Sequence, residues 1–232
     1  MTTVINISQL IVDEQTDFYV LNKPAGIGFH NEYGEYGFFQ QAKLALSAAE
    51  LFPVHRLDKM TSGLIIVAKN KSTAATFQTL FEQRQIEKYY LAISDKKPIK
   101  KQGLIKGDMA KSRRGMWKLL RSQQNPAKTQ FFSYPLENGK RLFIVKPHTG
   151  KTHQIRVALN SLGAPILGDP LYGEPANIDR GYLHAFALRF ELNNQAFSYI
   201  LPASTGVELT SEICQEKLES LSPPWHLPWP KI

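Results

Sequence analysis

The residues best placed to do chemistry lie in one short stretch, His55-Arg56-Leu57-Asp58-Lys59-Met60-Thr61-Ser62-Gly63. It sets one carboxylate among cations on a polar loop. An aspartate beside a cation is held ionised. Loops held at the end of a rigid strand are where catalytic groups usually sit, which makes Asp58 a candidate working carboxylate. The plainer reading is an Asp that only shapes its loop. A second concentration is Gly150-Lys151-Thr152-His153-Gln154-Ile155-Arg156 at the entry to a helix. The common alternatives are missing: there is no Gly-x-Gly-x-x-Gly, no Walker-type Gly-Lys-Ser/Thr loop and no Gly-x-Ser-x-Gly elbow. Histidines 30, 55, 148, 153, 184 and 226 show no His-Glu-x-x-His or other tight ligand spacing, so no metal is expected.

The elements that must hold these residues follow from periodicity. Leu64 to Ala68 is a continuous apolar run bounded by Gly63 and Lys69-Asn70-Lys71, which predicts a buried strand fed by the charged loop. Asp17 to Leu21 predicts a strand stopped at Pro24-Ala25-Gly26. Alanine-rich Phe38 to Ala49 predicts a helix. A second helix follows the buried strand, with Ser72 read as its N-cap and Ala74, Phe77, Leu80 and Phe81 on one face. Glu87 to Ile93 predicts a strand in which Tyr89 faces the core and Tyr90 the other side. Thr129 to Tyr134 and Leu142 to Lys146 predict a hairpin around Asn138-Gly139. Thr152 to Leu162 predicts a helix with Ile155, Ala158, Leu159 and Leu162 on one face, His153, Arg156 and Asn160 on another, and Gly163 as its stop. Strands over Leu183 to Leu192 and Phe197 to Leu201, a helix from about Val207 to Leu221 and a Pro/Trp-rich tail packed extended against the body complete the chain. Interspersed elements without a βαβ rhythm predict an α+β fold with a mixed, largely antiparallel central sheet and flanking helices, in one domain over residues 1–232.

Composition narrows the partner. The 232 residues are 43% hydrophobic, enough for a substantial core, with no apolar run of membrane-spanning length and no signal-peptide pattern at Met1-Thr2-Thr3-Val4. Together with a single cysteine, Cys214, this predicts a cytoplasmic protein away from membranes. The net charge is +8, and Asp95 to Lys128 holds eleven basic residues against two acidic ones. That segment carries +9 and the remainder −1, so the positive excess is one block suited to a polyanion. Its weak periodicity predicts irregular strands and loops, with Gly103, Gly107 and Gly115 as breaks.

His55-Arg56-Leu57-Asp58 followed by Thr61-Ser62-Gly63 and a hydrophobic strand resembles the signature loop of the RluA-type pseudouridine synthases. Asn22-Lys23-Pro24-Ala25-Gly26, Lys88-Tyr89-Tyr90, Thr149 to Arg156, and Leu162 to Gly173 resemble further family stretches in the same order, and Leu183-His184-Ala185 a later one. Two departures are Asn125-Pro126-Ala127-Lys128-Thr129, where Lys-Pro-Ala-x-Thr is usual, and Ala158, where histidine is frequent.

The resemblance implies an RNA pseudouridine synthase, an isomerase that needs no cofactor and acts as a monomer on uridines of ribosomal or transfer RNA stem-loops. It implies that Asp58 is the catalytic aspartate, that Arg156 is its cationic partner, and that Tyr90 stacks on the base and takes the C5 proton. Arg56 is expected to fill the space left by a flipped uridine, since a base inside a duplex hides its reacting atoms and a guanidinium both stacks and donates. His55, Thr61, Ser62, Lys88, Thr152, His153, Gln154 and His184 are expected to line the substrate site, with the histidines structural or RNA-contacting rather than general bases. Since the chain begins close to the first motif, no separate N-terminal RNA-binding domain is expected. The alternatives are a non-catalytic RNA-binding or ribosome-assembly factor on the same fold, which would not need Asp58, Tyr90 and Arg156, and a glycosidase, which would need a second acidic partner.

Overall fold

The structure, a computed structural model, describes residues 10–174 and 177–232. They fall into two compact units: the first runs up to Ile86 and includes Phe190–Phe197, and the second comprises Glu87–Arg189 and Ser198–Ile232. Every strand pairing described below is antiparallel, and the chain has the α+β architecture and largely antiparallel sheet predicted from its sequence.

In the first unit, β1 (Ile11–Glu14) pairs with β2 (Phe18–Lys23), and β2 pairs with β4 (Ser62–Ala68) from Phe18↔Ala68 to Lys23↔Gly63. The short β3 (Phe52–Pro53) also pairs with β4. All seven residues of β4 are buried, which is why this strand reads as an unbroken apolar run rather than an alternation. Helix α2 (Lys71–Glu82) covers the sheet through Phe77, whose ring meets Phe18 at 5.3 Å and Phe190 at 5.5 Å, edge on. Its N-cap is Asn70, whose side chain accepts the Thr73 amide at 2.8 Å, and not Ser72, which lies inside the helix. Asn70 also donates to Asp17, so a tertiary contact selected the cap. Helix α1 is Phe38–Ala45, shorter than predicted. Ser47 turns into the left-handed region at φ 49°, and the Ser47 and Ala48 amides close back on Leu44 and Lys43 in a Schellman motif.

In the second unit the sheet runs β11 (Leu183–Leu192), β5 (Glu87–Ser94), β10 (Arg141–Pro147), β9 (Ala127–Pro135) and β6 (Gln102–Gly107). The β9–β10 hairpin turns at Asn138 and Gly139, both left-handed at φ 53° and 74°, as the Asn-Gly pair predicted. Gly103 and Gly107 lie within β6 rather than breaking it. The basic segment continues into a separate two-stranded sheet of β7 (Met109–Lys111) and β8 (Trp117–Leu119). Helix α3 (Gln154–Ser161) is buried through Gln154–Leu159, so the predicted polar face is not a solvent face. Gly163, at φ 72°, ends it as expected. The Asn193-Asn194 turn, with both residues left-handed, belongs to the first unit and leads into β12 (Gln195–Ile200). The predicted C-terminal helix is two: α4 (Val207–Thr210) and α5 (Glu212–Leu221). Ser211 adopts an extended conformation between them and caps the second by accepting the Cys214 amide.

The Pro/Trp tail packs on the face of β5 that carries Tyr89. Trp229 lies 5.7 Å from the Tyr89 ring and 5.0 Å from Phe132, with its indole N–H donated to the Pro224 carbonyl at 2.8 Å. Trp229→Ala is expected to lower the unfolding free energy by roughly 2 kcal/mol, below a fully buried tryptophan because the ring is half-exposed. Urea denaturation followed by far-UV circular dichroism measures it; an unchanged midpoint would show that the tail contributes no packing.

Candidate active site

The loop that carries Asp58 is built from inside the first unit. Leu57 and Met60 point into the core, Thr61 and Ser62 are buried, and between them Asp58 is half-buried while Arg56 and Lys59 reach solvent. The Thr61 amide closes on the Asp58 carbonyl at 3.0 Å, a tight turn that presents the carboxylate side chain. Gly63 follows at φ 104°, a conformation that a residue with a Cβ adopts only under strain.

Lys23 anchors the loop, a role that its place in the Asn22-to-Gly26 motif did not reveal. It is fully buried at the end of β2. Its ammonium donates to the carbonyls of Thr61 at 2.8 Å, Pro24 at 3.0 Å and Lys59 at 3.4 Å. The Gly26 amide adds a bond to the Lys59 carbonyl at 2.8 Å. A buried charge must be solvated by the protein, so the Lys59-to-Thr61 backbone is held where that ammonium needs it. His55 supports the loop from its other end: Nε2 accepts the Ile66 amide of β4 at 2.9 Å, and the ring stacks near Phe81 at 4.8 Å.

In the second unit, Tyr90 lies on β5 opposite Val145 of β10 and Ala185 of β11, two small side chains beside a half-exposed ring. Its neighbour Tyr89 is fully buried on the opposite face and donates its hydroxyl to Glu87 at 2.9 Å. Strand alternation therefore assigned both tyrosines correctly. Lys88 shares the Tyr90 face, and burial lowers its ammonium pKa to about 8. His184 registers with Leu91, so it sits on the other side of the sheet from Tyr90. It is 2% exposed and bonded through Nε2 to the Leu201 carbonyl at 2.8 Å, and burial lowers its pKa to about 4.

The first turn of α3 gathers the rest. Arg156, 4% exposed, gives Nε and one terminal nitrogen to the two oxygens of Asp169 at 2.7 Å each, and its guanidinium lies 5.1 Å above the Tyr172 ring. Asp169 also accepts the Leu171 and Tyr172 amides at 2.9 and 3.2 Å. It is thus the loop-former expected of a Gly-Asp-Pro turn, and in addition a partner of Arg156 that spacing alone did not disclose. His153 occupies the N-cap position in a left-handed conformation, with Nδ1 3.1 Å from the Tyr172 hydroxyl. Gln154 joins α3 to β9. Its oxygen accepts from Thr149 at 2.6 Å and from the Lys151 amide at 3.0 Å, and its nitrogen donates to Thr129 at 2.9 Å and to the Lys128 carbonyl at 3.1 Å. That is the whole capacity of a side-chain amide. Thr152 is exposed beside this turn. Among the described residues no group of three or more His, Cys, Asp or Glu side chains is placed to hold a metal, and no helix is long and apolar enough to cross a membrane.

Residues 17–161 match a family described as RNA pseudouridylate synthase. The chain is 50% identical over 197 residues to an uncharacterized RNA pseudouridine synthase of Haemophilus influenzae, covering 84% of this chain and 88% of that one. It is 34% identical over 172 residues to the ribosomal large subunit pseudouridine synthase C of Rickettsia bellii, covering 72% of this chain and 57% of that one. Among solved structures, human RNA pseudouridylate synthase domain containing 1 superposes with a TM-score of 0.74 at 25% identity over 91% of this chain and 94% of that one.

The neutral His184 makes stability pH-dependent in a defined direction. Above about pH 6.5 the imidazole is unprotonated both folded and unfolded, and contributes no slope. Between there and about pH 4, its folded-state value, only the unfolded chain takes up the proton. Stability should therefore fall with falling pH, by up to about 1.4 kcal/mol per unit from this group. His184→Gln, whose amide nitrogen can still reach the Leu201 carbonyl, should flatten that slope in denaturation curves at pH 7 and pH 5. Equal slopes in the two proteins would rule His184 out as the cause.

Proposed function

Because this chain belongs to the RNA pseudouridylate synthase family, and is an isomerase that acts on RNA, we propose that it converts uridine to pseudouridine in large-subunit ribosomal RNA with Asp58 as its nucleophile. The RNA class rests on the named Rickettsia relative. The observation that carries the catalytic reading is the setting of Asp58: a half-exposed carboxylate on a turn whose backbone is pinned by a fully buried ammonium. A loop with no chemical duty would not need that degree of fixation.

The reaction breaks the C1′–N1 bond, turns the uracil and joins C5 to C1′. The C5 proton leaves and N1 gains one, so no oxidant, reductant or external energy is consumed. Asp58 serves as the nucleophile, bonding C1′ as N1 departs and released again as C5 takes that carbon, with Arg156 as the catalytic cation. For Arg156, the Asp169 fork fixes the guanidinium plane. Tyr90 stacks on the base and accepts the C5 proton. The small residues beside it, Val145 and Ala185, favour access to its ring. Arg56 enters the stack vacated by the flipped uridine, a role its exposure permits. Lys88, Thr152 and His153 contribute RNA contacts. His55, Thr61, Ser62, Gln154 and His184 act by positioning the backbone.

Asp58→Asn is expected to abolish tritium release from RNA labelled at uridine C5 while leaving RNA affinity within about threefold of the parent; substantial turnover would remove Asp58 from the nucleophile's role. Binding should also weaken steeply with salt, since each phosphate contact releases a counterion. A filter-binding titration over about 50 to 200 mM salt measures this, and a flat response would displace the basic block from the RNA footprint.

A further inference from the structure

The β7–β8 hairpin projects a run of cations. Lys111, Arg113, Arg114, Lys118 and Arg121 are all exposed, and no acidic residue lies between Met109 and Arg121. Among the described residues no ion pair engages any of the five. The hairpin's root is closed on itself. A Cβ on Gly107 would stand 2.2 Å from the Leu120 carbonyl, so the two chains touch there, and Asp108 accepts the Gln124 and Asn125 amides at 3.0 and 2.8 Å. Beyond the root, the Trp117 amide of β8 donates to the hydroxyl of Tyr172, which lies in the loop after α3, at 2.7 Å.

Tyr172 is 7% exposed, and each of its groups is used. Its hydroxyl accepts from the arm and lies 3.1 Å from His153 at the α3 N-cap; its ring carries the Arg156 guanidinium; its amide bonds Asp169, the carboxylate that forks Arg156. We infer that Tyr172 is a positioning residue, whose hydroxyl latches the basic β7–β8 arm, bound to RNA phosphates flanking the target nucleotide, to the first turn of α3, so that the backbone contact and the Arg156 guanidinium keep one spacing. The inference rests on the synthase reading above for the identity of the ligand and the role of Arg156. A lysine- and arginine-rich surface without such a tie would hold RNA in many registers, because phosphate contacts carry no sequence information. Tying it to the helix converts a non-specific grip into a measured distance.

Tyr172→Phe removes the hydroxyl and keeps the ring beneath Arg156. Hydrogen exchange of the peptide spanning residues 109–120 should quicken in this variant while the rest of the chain exchanges as in the parent. This readout needs no RNA, and unchanged exchange in the arm would overturn the latch whatever the enzyme's substrate. With RNA, the variant's single-turnover rate should fall about tenfold, the loss of one well-placed hydrogen bond, with its dissociation constant changed less than threefold. Arg113→Ala with Arg114→Ala should instead raise the dissociation constant, and adding Tyr172→Phe to that pair should cost little more in rate. Fully additive losses would overturn the coupling. An arm pair with unchanged RNA affinity would overturn the arm's part in holding phosphate, whereas loss of the synthase reading would appear separately, as a parent protein that releases no tritium.

Discussion

A guanidinium sealed from water sets much of the second unit. Arg156 retains 4% of its exposure and Asp169 2%, so both ions depend on protein groups for their solvation. The forked pair at 2.7 Å answers most of that requirement, and the Leu171 and Tyr172 amides complete the carboxylate's shell. Such a pair adds little net stability over an apolar substitute, but losing one partner strands a buried charge. Its value is therefore geometric. The first turn of α3, the Gly-Asp-Pro loop and the Tyr172 ring occupy the positions in which that charge is compensated.

The first unit uses the same constraint with a different ion. Lys23 is fully buried, and its ammonium takes the main-chain carbonyls of Lys59 and Thr61 in the Asp58 turn, and of Pro24, as ligands. A point charge with freely rotating donors suits a cage of carbonyls, whereas a planar fork suits a carboxylate. In both units, then, a cation withdrawn from water fixes its surroundings, main-chain carbonyls around Lys23 and the Asp169 carboxylate around Arg156.

Several polar residues that the resemblance places at the substrate site are committed inward. Gln154 spends its full hydrogen-bonding capacity joining α3 to β9, His55 accepts a strand amide, and His184 holds the Leu201 carbonyl from a dry position. Motif residues surround a site, but motif membership does not separate the group that touches substrate from the group that orients it. Burial and hydrogen-bond partners, by contrast, belong to the folded chain.

What the sequence by itself determined is whatever depends on neighbours along the chain. The buried strand through Leu64–Ala68 was legible because a strand covered on both faces reads as a continuous apolar run, and the opposite facing of Tyr89 and Tyr90 because strand side chains alternate. The hairpin at Asn138-Gly139 was legible because few residues accept a left-handed backbone. The family was legible because its motifs keep their order, and the α+β class because strand and helix signals are interspersed. Tertiary structure decided the rest. Asn70 rather than Ser72 caps α2 because Asp17 is there to hold it; Ser47 ends α1 in a conformation for which serine gives no local warning. Lys23 reaches Thr61 across 38 residues, and Arg156 finds Asp169 across a loop of the chain that periodicity does not describe. Burial of an ion is invisible in a list of residue types, because the cost of removing it from water and the partners that offset that cost exist only when distant segments meet.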